Sequence, residues 1–288
     1  MDNTQQLFII GNPRSGTSLL RIMLNSHSSI VIPPECGFIH WWSKKYQNWN
    51  SKSSLAEFIS DLQTSKKIET WQLDFDALAS FLEIRQSTSY QELVFNIVDF
   101  YGQSVNQKSS SLVLGDKNNY YINHLQEIRS IAPNAKYLII IRDPRDVYCS
   151  YKGIADLNSK STYIPKLPQS VKSFTDDWSQ NQSKIFKFLK KLNQKQFQVI
   201  HYEDLVLDSK LQLVKVCDFL DLPFEEKMLR YYETNDEPKA LLEWKKKTLR
   251  PLDPTTIERY KKVLSSTEVE TIESNTFDIY KQFKQSIK

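Results

Sequence analysis

The residues best suited to chemistry lie near the start of the chain, in Phe8-Ile9-Ile10-Gly11-Asn12-Pro13-Arg14-Ser15-Gly16-Thr17-Ser18-Leu19-Leu20. The chain has only six glycines, and two of them bracket this loop. Glycine is needed where backbone turns sharply or must approach a ligand closely. An apolar strand, this loop and an amphipathic helix would gather several backbone N–H groups and a helix N-terminus around one point. That is an anion site by geometry and by dipole. Hydroxyls of Ser15, Thr17 and Ser18 add donors, and Arg14 is the loop's cation. The spacing satisfies G-x-x-x-x-G but continues Thr17-Ser18 where a nucleoside triphosphatase has Lys-Ser/Thr. The missing lysine would span the β- and γ-phosphates, and its neighbour's hydroxyl would bind magnesium. The loop thus points to a nucleotide with one short anionic chain, handled without metal.

A second candidate anion site is carried by Tyr137-Leu138-Ile139-Ile140-Ile141-Arg142-Asp143-Pro144-Arg145-Asp146-Val147-Tyr148-Cys149-Ser150. Arg142 ends the apolar run, and Ser150 follows eight residues later, about two turns into the next helix. A guanidinium and a hydroxyl facing it can hold one phosphate between them. Arg-Asp-Pro at a strand end also serves as a structural ion pair, so this site gains meaning from the first.

The elements that must position these residues are legible as alternation. Short apolar runs with strand character fall at 7–10, 30–32, 112–114, 136–141 and 197–200. Helical patterns separate most of them, with Leu19, Leu20, Met23 and Leu24 on one face, and Phe186, Leu189 and Leu192 on another. The pattern predicts an α/β domain with a parallel sheet flanked by helices, its ligands at the carboxyl ends of the strands. Asp143 before Pro144 reads as a helix N-cap. Thr267 with Glu270 reads as a capping box opening the last helix. The stretch 38–111 interrupts the rhythm. It is helical and aromatic, with Trp41, Trp42, Trp49 and Trp71, and reads as an insertion forming either a lid or acceptor pocket, or a satellite core.

Composition narrows the class. The chain has 288 residues, 40% hydrophobic and 25% charged, which suits one large folded domain over 1–288 and excludes a disordered chain. No apolar stretch approaches the ~20 residues of a membrane helix. The first residues show no basic n-region or cleavage site, so a soluble, cytoplasmic protein is expected. Three cysteines, Cys36, Cys149 and Cys217, fit neither a disulfide framework nor a zinc spacing. The net charge of +4 suits an anionic ligand and is too small to imply nucleic acid.

Together the two motifs resemble the sulfotransferases that use 3′-phosphoadenosine 5′-phosphosulfate (PAPS) and release adenosine 3′,5′-bisphosphate (PAP). The resemblance spans about 7–260 and is strongest to the branch with the tyrosylprotein sulfotransferases and many bacterial enzymes. It implies a P-loop-type sulfotransferase fold. It also implies a 5′-phosphosulfate cradle of Arg14, Ser15, Gly16, Thr17 and Ser18, with Arg14 neutralising charge on the transferring group. Arg142 and Ser150 match the 3′-phosphate motif. Tyr202, in His201-Tyr202-Glu203-Asp204-Leu205, matches a tyrosine near the adenine. Arg250, in Leu249-Arg250-Pro251-Leu252, resembles a late basic residue over the 3′-phosphate, while Lys245, Lys246 and Lys247 read as a solvated run. Two features depart from the family's cytosolic members. Leu19 stands where many of them carry an aromatic, and their Arg-Lys-Gly loop is missing.

Sulfuryl transfer to a hydroxyl calls for a base and for stabilisation of charge on the departing phosphate. Where some members have Lys-Thr-His, this chain has Gly115-Asp116-Lys117-Asn118-Asn119, and His124 reads as surface or packing. Glu35, twenty-one residues after Arg14, stands where the tyrosylprotein-type branch has its base. A carboxylate at a strand end beside the loop can take the acceptor's proton. Lys117 is the second cation for the bridging oxygen, and Asp116 the fallback base. The acceptor is a hydroxyl or amine of open identity. A kinase using ATP and a non-catalytic nucleotide-binding protein are the competing readings.

Overall fold

The computed structural model describes residues 4–109, 111–157, 159 and 161–285. Residues 1–3, on which the reading of the N-terminus partly rests, lie outside the described residues. Strands β1 (Gln5–Gly11), β2 (Ile30–Val31), β3 (Val113–Lys117), β4 (Lys136–Ile141) and β5 (Phe197–His201) form one sheet in the order β2-β3-β1-β4-β5. Every pairing is parallel, with Ile9 opposite Lys117, Gly11 opposite Ile140 and Ile141 opposite His201. All five carboxyl ends therefore reach the same edge.

Alternation along the strands divides the core. Phe8, Ile10, Tyr137, Ile139 and Ile141 face one side, against α4 (Tyr90–Ser104), α6 (Val171–Leu189) and α7 (Ser266–Gln285). Leu7, Ile9, Leu138 and Ile140 face the other, against α1 (Thr17–Asn25) and the helix Ser209–Phe219. Apolar residues on both faces of a strand are what a sheet covered on both sides requires. Among the described residues no helix is long and apolar enough to cross a membrane.

The Asp143 cap is formed as expected. Its carboxylate accepts the Arg145 N–H at 2.9 Å, and Pro144 opens α5 (Pro144–Ala155). The last helix begins earlier than its pattern suggests. Ser265 Oγ accepts the Glu268 N–H at 3.2 Å, and Ser265 N–H donates to Glu268 Oε2 at 2.8 Å, two residues before Thr267 and Glu270. Ser265 offers the same hydroxyl at the same three-residue spacing from a glutamate, so local sequence could not choose between the two boxes. Leu192 falls outside α6, which ends at Leu189.

The 38–111 stretch builds α2 (Ser51–Gln63), α3 (Phe75–Arg85) and α4, together with the short helix Phe38–Trp41. Apart from Trp41, which is 40% exposed, its tryptophans pack in or against the main core rather than forming a lid. Trp71, Phe58, Tyr90, Phe95 and Tyr101 join the cluster that contains Phe8 and Tyr137 of the sheet. Trp71 packs edge-to-face on Phe38 at 5.6 Å, and its indole N–H donates to the Pro34 carbonyl at 2.9 Å. Among the described residues of this stretch, Lys67 is the one that lines the cavity described below. The amphipathic rings are in the core because their polar atoms find partners there. Trp71→Ala should therefore lower unfolding stability by about 3–5 kcal/mol, the range for emptying a buried aromatic site. Chemical denaturation measures it, and a loss below about 1 kcal/mol would mean that the ring is not a core element.

Candidate active site

A cavity of about 730 Å³ opens at the carboxyl edge of the sheet. Four strand ends supply Arg14, Gly16, Thr17 and Ser18 after β1, Asn118–Tyr120 after β3, Arg142 after β4 and Tyr202 after β5. Glu35, just beyond β2, completes the set. The far wall comes from Tyr163–Pro168 and from residues between Glu243 and Arg259.

The loop after β1 is shaped by two left-handed residues, Arg14 at φ 70° and Gly16 at φ 99°. A side chain on Gly16 would collide with the ring of Tyr202, 2.5 Å from its Cβ position. Gly16 caps α1 without a side-chain hydrogen bond, and the first turn holds no acidic residue. The first-turn amides of α1 lack carbonyls four residues earlier in the helix, so they remain open to an anion. Ser15 Oγ is buried without a hydrogen-bond partner, while Thr17 Oγ1 donates to Asn119 Oδ1 at 3.0 Å.

Arg142 is held by groups that leave its charge intact. It donates to the carbonyls of Arg14 at 3.2 Å and Thr256 at 2.9 Å, and stacks over Tyr202 at 4.1 Å. Its Nε is buried with no partner. Tyr202 is fixed in turn by a 3.1 Å hydrogen bond between its hydroxyl and that of Thr256. The expected pairing of Ser150 with Arg142 gives way to one with Arg14. Ser150 Oγ accepts from Arg14 Nε at 3.0 Å, and Arg14 also donates to the Trp244 carbonyl at 2.9 Å. The Arg14 guanidinium thus bridges the two anion sites rather than pointing at Glu35. Burial and the neighbouring Arg142 pull its pKa down to about 10. Lys247 is lowered likewise, by burial and then by Arg259 and Arg142. Cations crowding one cavity and depressing one another define a site that needs an anion.

At the other end lies Glu35. It pairs with Lys117 and, at 2.9 Å, with Lys67. Burial pushes its carboxyl up, but Lys117, Lys245 and Lys67 overcome this and hold it well below the usual carboxylate range. Lys117 is fully buried beneath the cavity floor and also donates to Ser18 Oγ at 3.0 Å. Burial pulls its pKa down to about 8, with Glu35 opposing. Asp116 does not compete as a base. Strand alternation turns it to the opposite face, where it is buried against Tyr121 and the Lys117 amide, outside the cavity lining.

Lys245 is the main correction to the sequence reading. It is 7% exposed rather than solvated, lines the cavity, and pairs with the buried Glu237. Glu237 is anchored at 2.9 Å by Arg21, a fully buried α1 residue that also meets Asp236 at 2.9 Å. Lys67, Lys245, Lys247, Arg259 and Trp244 are cavity residues that sequence reasoning missed. Their only signal was a local density of lysine, which a solvated face produces equally well. Arg250 does line the cavity, exposed, with its carbonyl held by the Tyr231 hydroxyl at 2.7 Å.

The fold is that of a sulfotransferase. The model of the sulfotransferase family matches residues 6–226, and the chain belongs to that family. Among curated proteins it is similar to protein-tyrosine sulfotransferase A of Caenorhabditis elegans, 24% identical over 238 residues, covering 78% of this chain and 52% of that protein. It is also similar to protein-tyrosine sulfotransferase 1 of Danio rerio, 24% identical over 233 residues, covering 79% and 56%. The chain thus spans about half the length of these relatives. Of solved structures, the sulfotransferase domain of the curacin biosynthetic pathway superposes with a TM-score of 0.60 at 24% identity, covering 94% of this chain and 96% of that one. The sulfotransferase domain of the Synechococcus PCC 7002 olefin synthase superposes with 0.61 at 21% identity, covering 94% of each.

The lysine–glutamate network yields a stability test. Glu237→Gln removes the anion shared by buried Lys245 and Arg21, which should cost about 3–5 kcal/mol. The double variant Glu237→Leu/Lys245→Met should lose less than Glu237→Gln alone, because no unpaired charge is left behind at Lys245. Denaturant melts of the two variants, compared with the parent chain, measure both.

Proposed function

We propose that this chain transfers a sulfuryl group from PAPS to a hydroxyl acceptor, with Glu35 as general base. The observation that carries the reading is a pair of anion sites linked by Arg14, one at the open first-turn amides of α1 and the other at Arg142, whose Nε is buried without a partner among the described residues. A nucleotide with anionic groups at both 3′ and 5′ positions suits such a pair. The loop residues Arg14–Ser18 would hold the 5′ group, and Arg142, Ser150 and Arg250 the 3′-phosphate, with Tyr202 near the adenine. An acceptor phenol carried by a protein is the first candidate, because the curated relatives are named protein-tyrosine sulfotransferases.

The electrostatics supply an order of events. In the free chain Glu35 is too strongly stabilised as an anion to be an effective base. An anionic group seated at Ser18 competes for the Lys117 ammonium, which now contacts both Ser18 and Glu35. Weakening that ion pair and adding negative charge both raise the Glu35 pKa towards the working range. The cofactor supplies the sulfur electrophile. The acceptor oxygen bonds to sulfur as the bridging S–O bond breaks, its proton passes to Glu35, and PAP leaves with the bonding pair while Lys117 neutralises it. Magnesium has no part in this scheme.

Glu35→Gln should retain PAP affinity and lose turnover by about 10²–10⁴-fold, the usual contribution of a positioned base. Filter assays with radiolabelled PAPS and phenolic or tyrosine-peptide acceptors read turnover, and equal loss of binding and turnover would sink the assignment. Because Lys117 is charged only below about 8, kcat/KM for PAPS should fall as pH rises through that value. Lys117→Arg should move that limb upward.

Calorimetry tests the two-site reading directly. Adenosine 5′-monophosphate should bind at least about 30-fold more weakly than PAP, the size expected for losing charge-assisted contacts. Equal affinity would overturn it, and tight ATP binding that requires magnesium would favour a kinase.

A further inference from the structure

Outside the cavity, three potential metal ligands converge from distant parts of the chain. His40 lies in the helix Phe38–Trp41, and His124 and Glu127 lie at the start of the helix Leu125–Ile131. One ligand atom from each falls within 4.8 Å of the others. The chain has only four histidines, yet these two stack with ring centroids 4.0 Å apart and planes tilted by 33°. His124 Nδ1 is buried without a hydrogen-bond partner, and Glu127 Oε1 is 3.6 Å away, too far for a hydrogen bond. His40 Nδ1 is hydrogen-bonded to the Tyr120 hydroxyl, and in the tautomer whose Nδ1–H donates to that oxygen Nε2 carries the lone pair.

From this cluster we infer a binding site for one divalent transition-metal ion of the zinc type, held by His40, His124 and Glu127. Two imidazoles and a carboxylate are an N₂O donor set that suits zinc, with water in the fourth position. Tetrahedral bonds of about 2.0–2.2 Å put ligand atoms about 3.4 Å apart, so side-chain rotations that draw the three together by up to about 1.4 Å complete the site. Tyr120 supplies the outer contact that ligating histidines normally have: it orients the ring, and its oxygen can accept Nδ1–H once Nε2 is ligated. Cysteine and histidine spacing could not reveal this site, because the fold alone brings its ligands together.

The ion would be a staple, separate from the transfer chemistry. It would tie the helix Phe38–Trp41 to the turn Asn119–Asn123, whose Tyr120 lines the cavity and whose Asn119 accepts from Thr17 of the phosphate loop. The site does not depend on the sulfotransferase reading, and its test needs no acceptor.

Untagged chain stripped with EDTA is titrated with Zn²⁺ by calorimetry, and separately with Co²⁺ while the visible spectrum is recorded. One Zn²⁺ per chain should bind with a Kd of about 10 μM or tighter, and Zn²⁺ should raise Tm. Co²⁺ should give the intense visible bands of a four-coordinate site. His40→Asn and His124→Asn should each weaken Zn²⁺ binding by about 30-fold or more and abolish the Tm rise, and Glu127→Gln should weaken it by about 10-fold. Zinc binding that survives in both histidine variants would overturn the assignment. So would wild-type chain that gives no visible cobalt bands, a readout that does not depend on any variant folding.

Discussion

Positive charge without matching negative charge is the constraint around which the edge of the sheet is built. Arg14 and Arg142 face one cavity, and their partners are carbonyls, a hydroxyl and an aromatic ring, none of which cancels a charge. Arg142 belongs here because Ile141 ends β4, and Arg14 because Gly11 ends β1; the register aligns Gly11 with Ile140. A parallel sheet brings such ends to one edge by construction. Desolvated cations of like sign are unfavourable neighbours, and a multiply charged anion relieves both costs together.

A second population of charges behaves in the opposite way. Lys67, Glu35 and Lys117 form one paired chain, and Lys245, Glu237, Arg21 and Asp236 form another. Each buried charge there has an ionic partner, which is how ionised groups persist away from water. Glu35 belongs to this compensated population while also lining the cavity, so it couples the two. Its proton affinity follows whatever anion occupies the space above Lys117. Binding and base strength are thereby linked through one ammonium group.

Burial explains why the sequence left the aromatic stretch open between pocket and core and why it took Lys245 for a solvated residue. Tryptophans in a helical stretch fit a pocket wall or a core equally well, since both are apolar and both accept an indole N–H. Packing of Trp71 on Phe38 and its bond to Pro34 select the core. Lys245-Lys246-Lys247 looks uniform in sequence and all three line the cavity, yet Lys245 is buried and Lys246 exposed. The difference is Glu237, a partner whose relation to Lys245 depends on how the chain folds between them. The capping box shifted for a simpler reason, because Ser265 and Thr267, two residues apart, present equivalent hydroxyls and only helix packing sets the boundary.

Local physics sufficed for several features. The strand–glycine loop–helix unit, the alternation that yields a parallel sheet, the Asp143 cap and the placing of Arg142 at a strand end all follow from short-range rules of backbone sterics, side-chain periodicity and unsatisfied N–H groups, whereas Glu35, Lys117 and Tyr202 were singled out by resemblance to the sulfotransferases. Those rules act over a few residues, so they are written in the chain itself. Which charges meet was decided only by the tertiary structure. The Arg14–Ser150 bridge, the turning of Asp116 away from the cavity, the pairing of Lys245 with Glu237 and the stacking of His40 on His124 each join segments far apart in the chain, or depend on which face of a strand meets solvent. Electrostatic and ligand contacts depend on distance in space, and distance in space is set by the folded core.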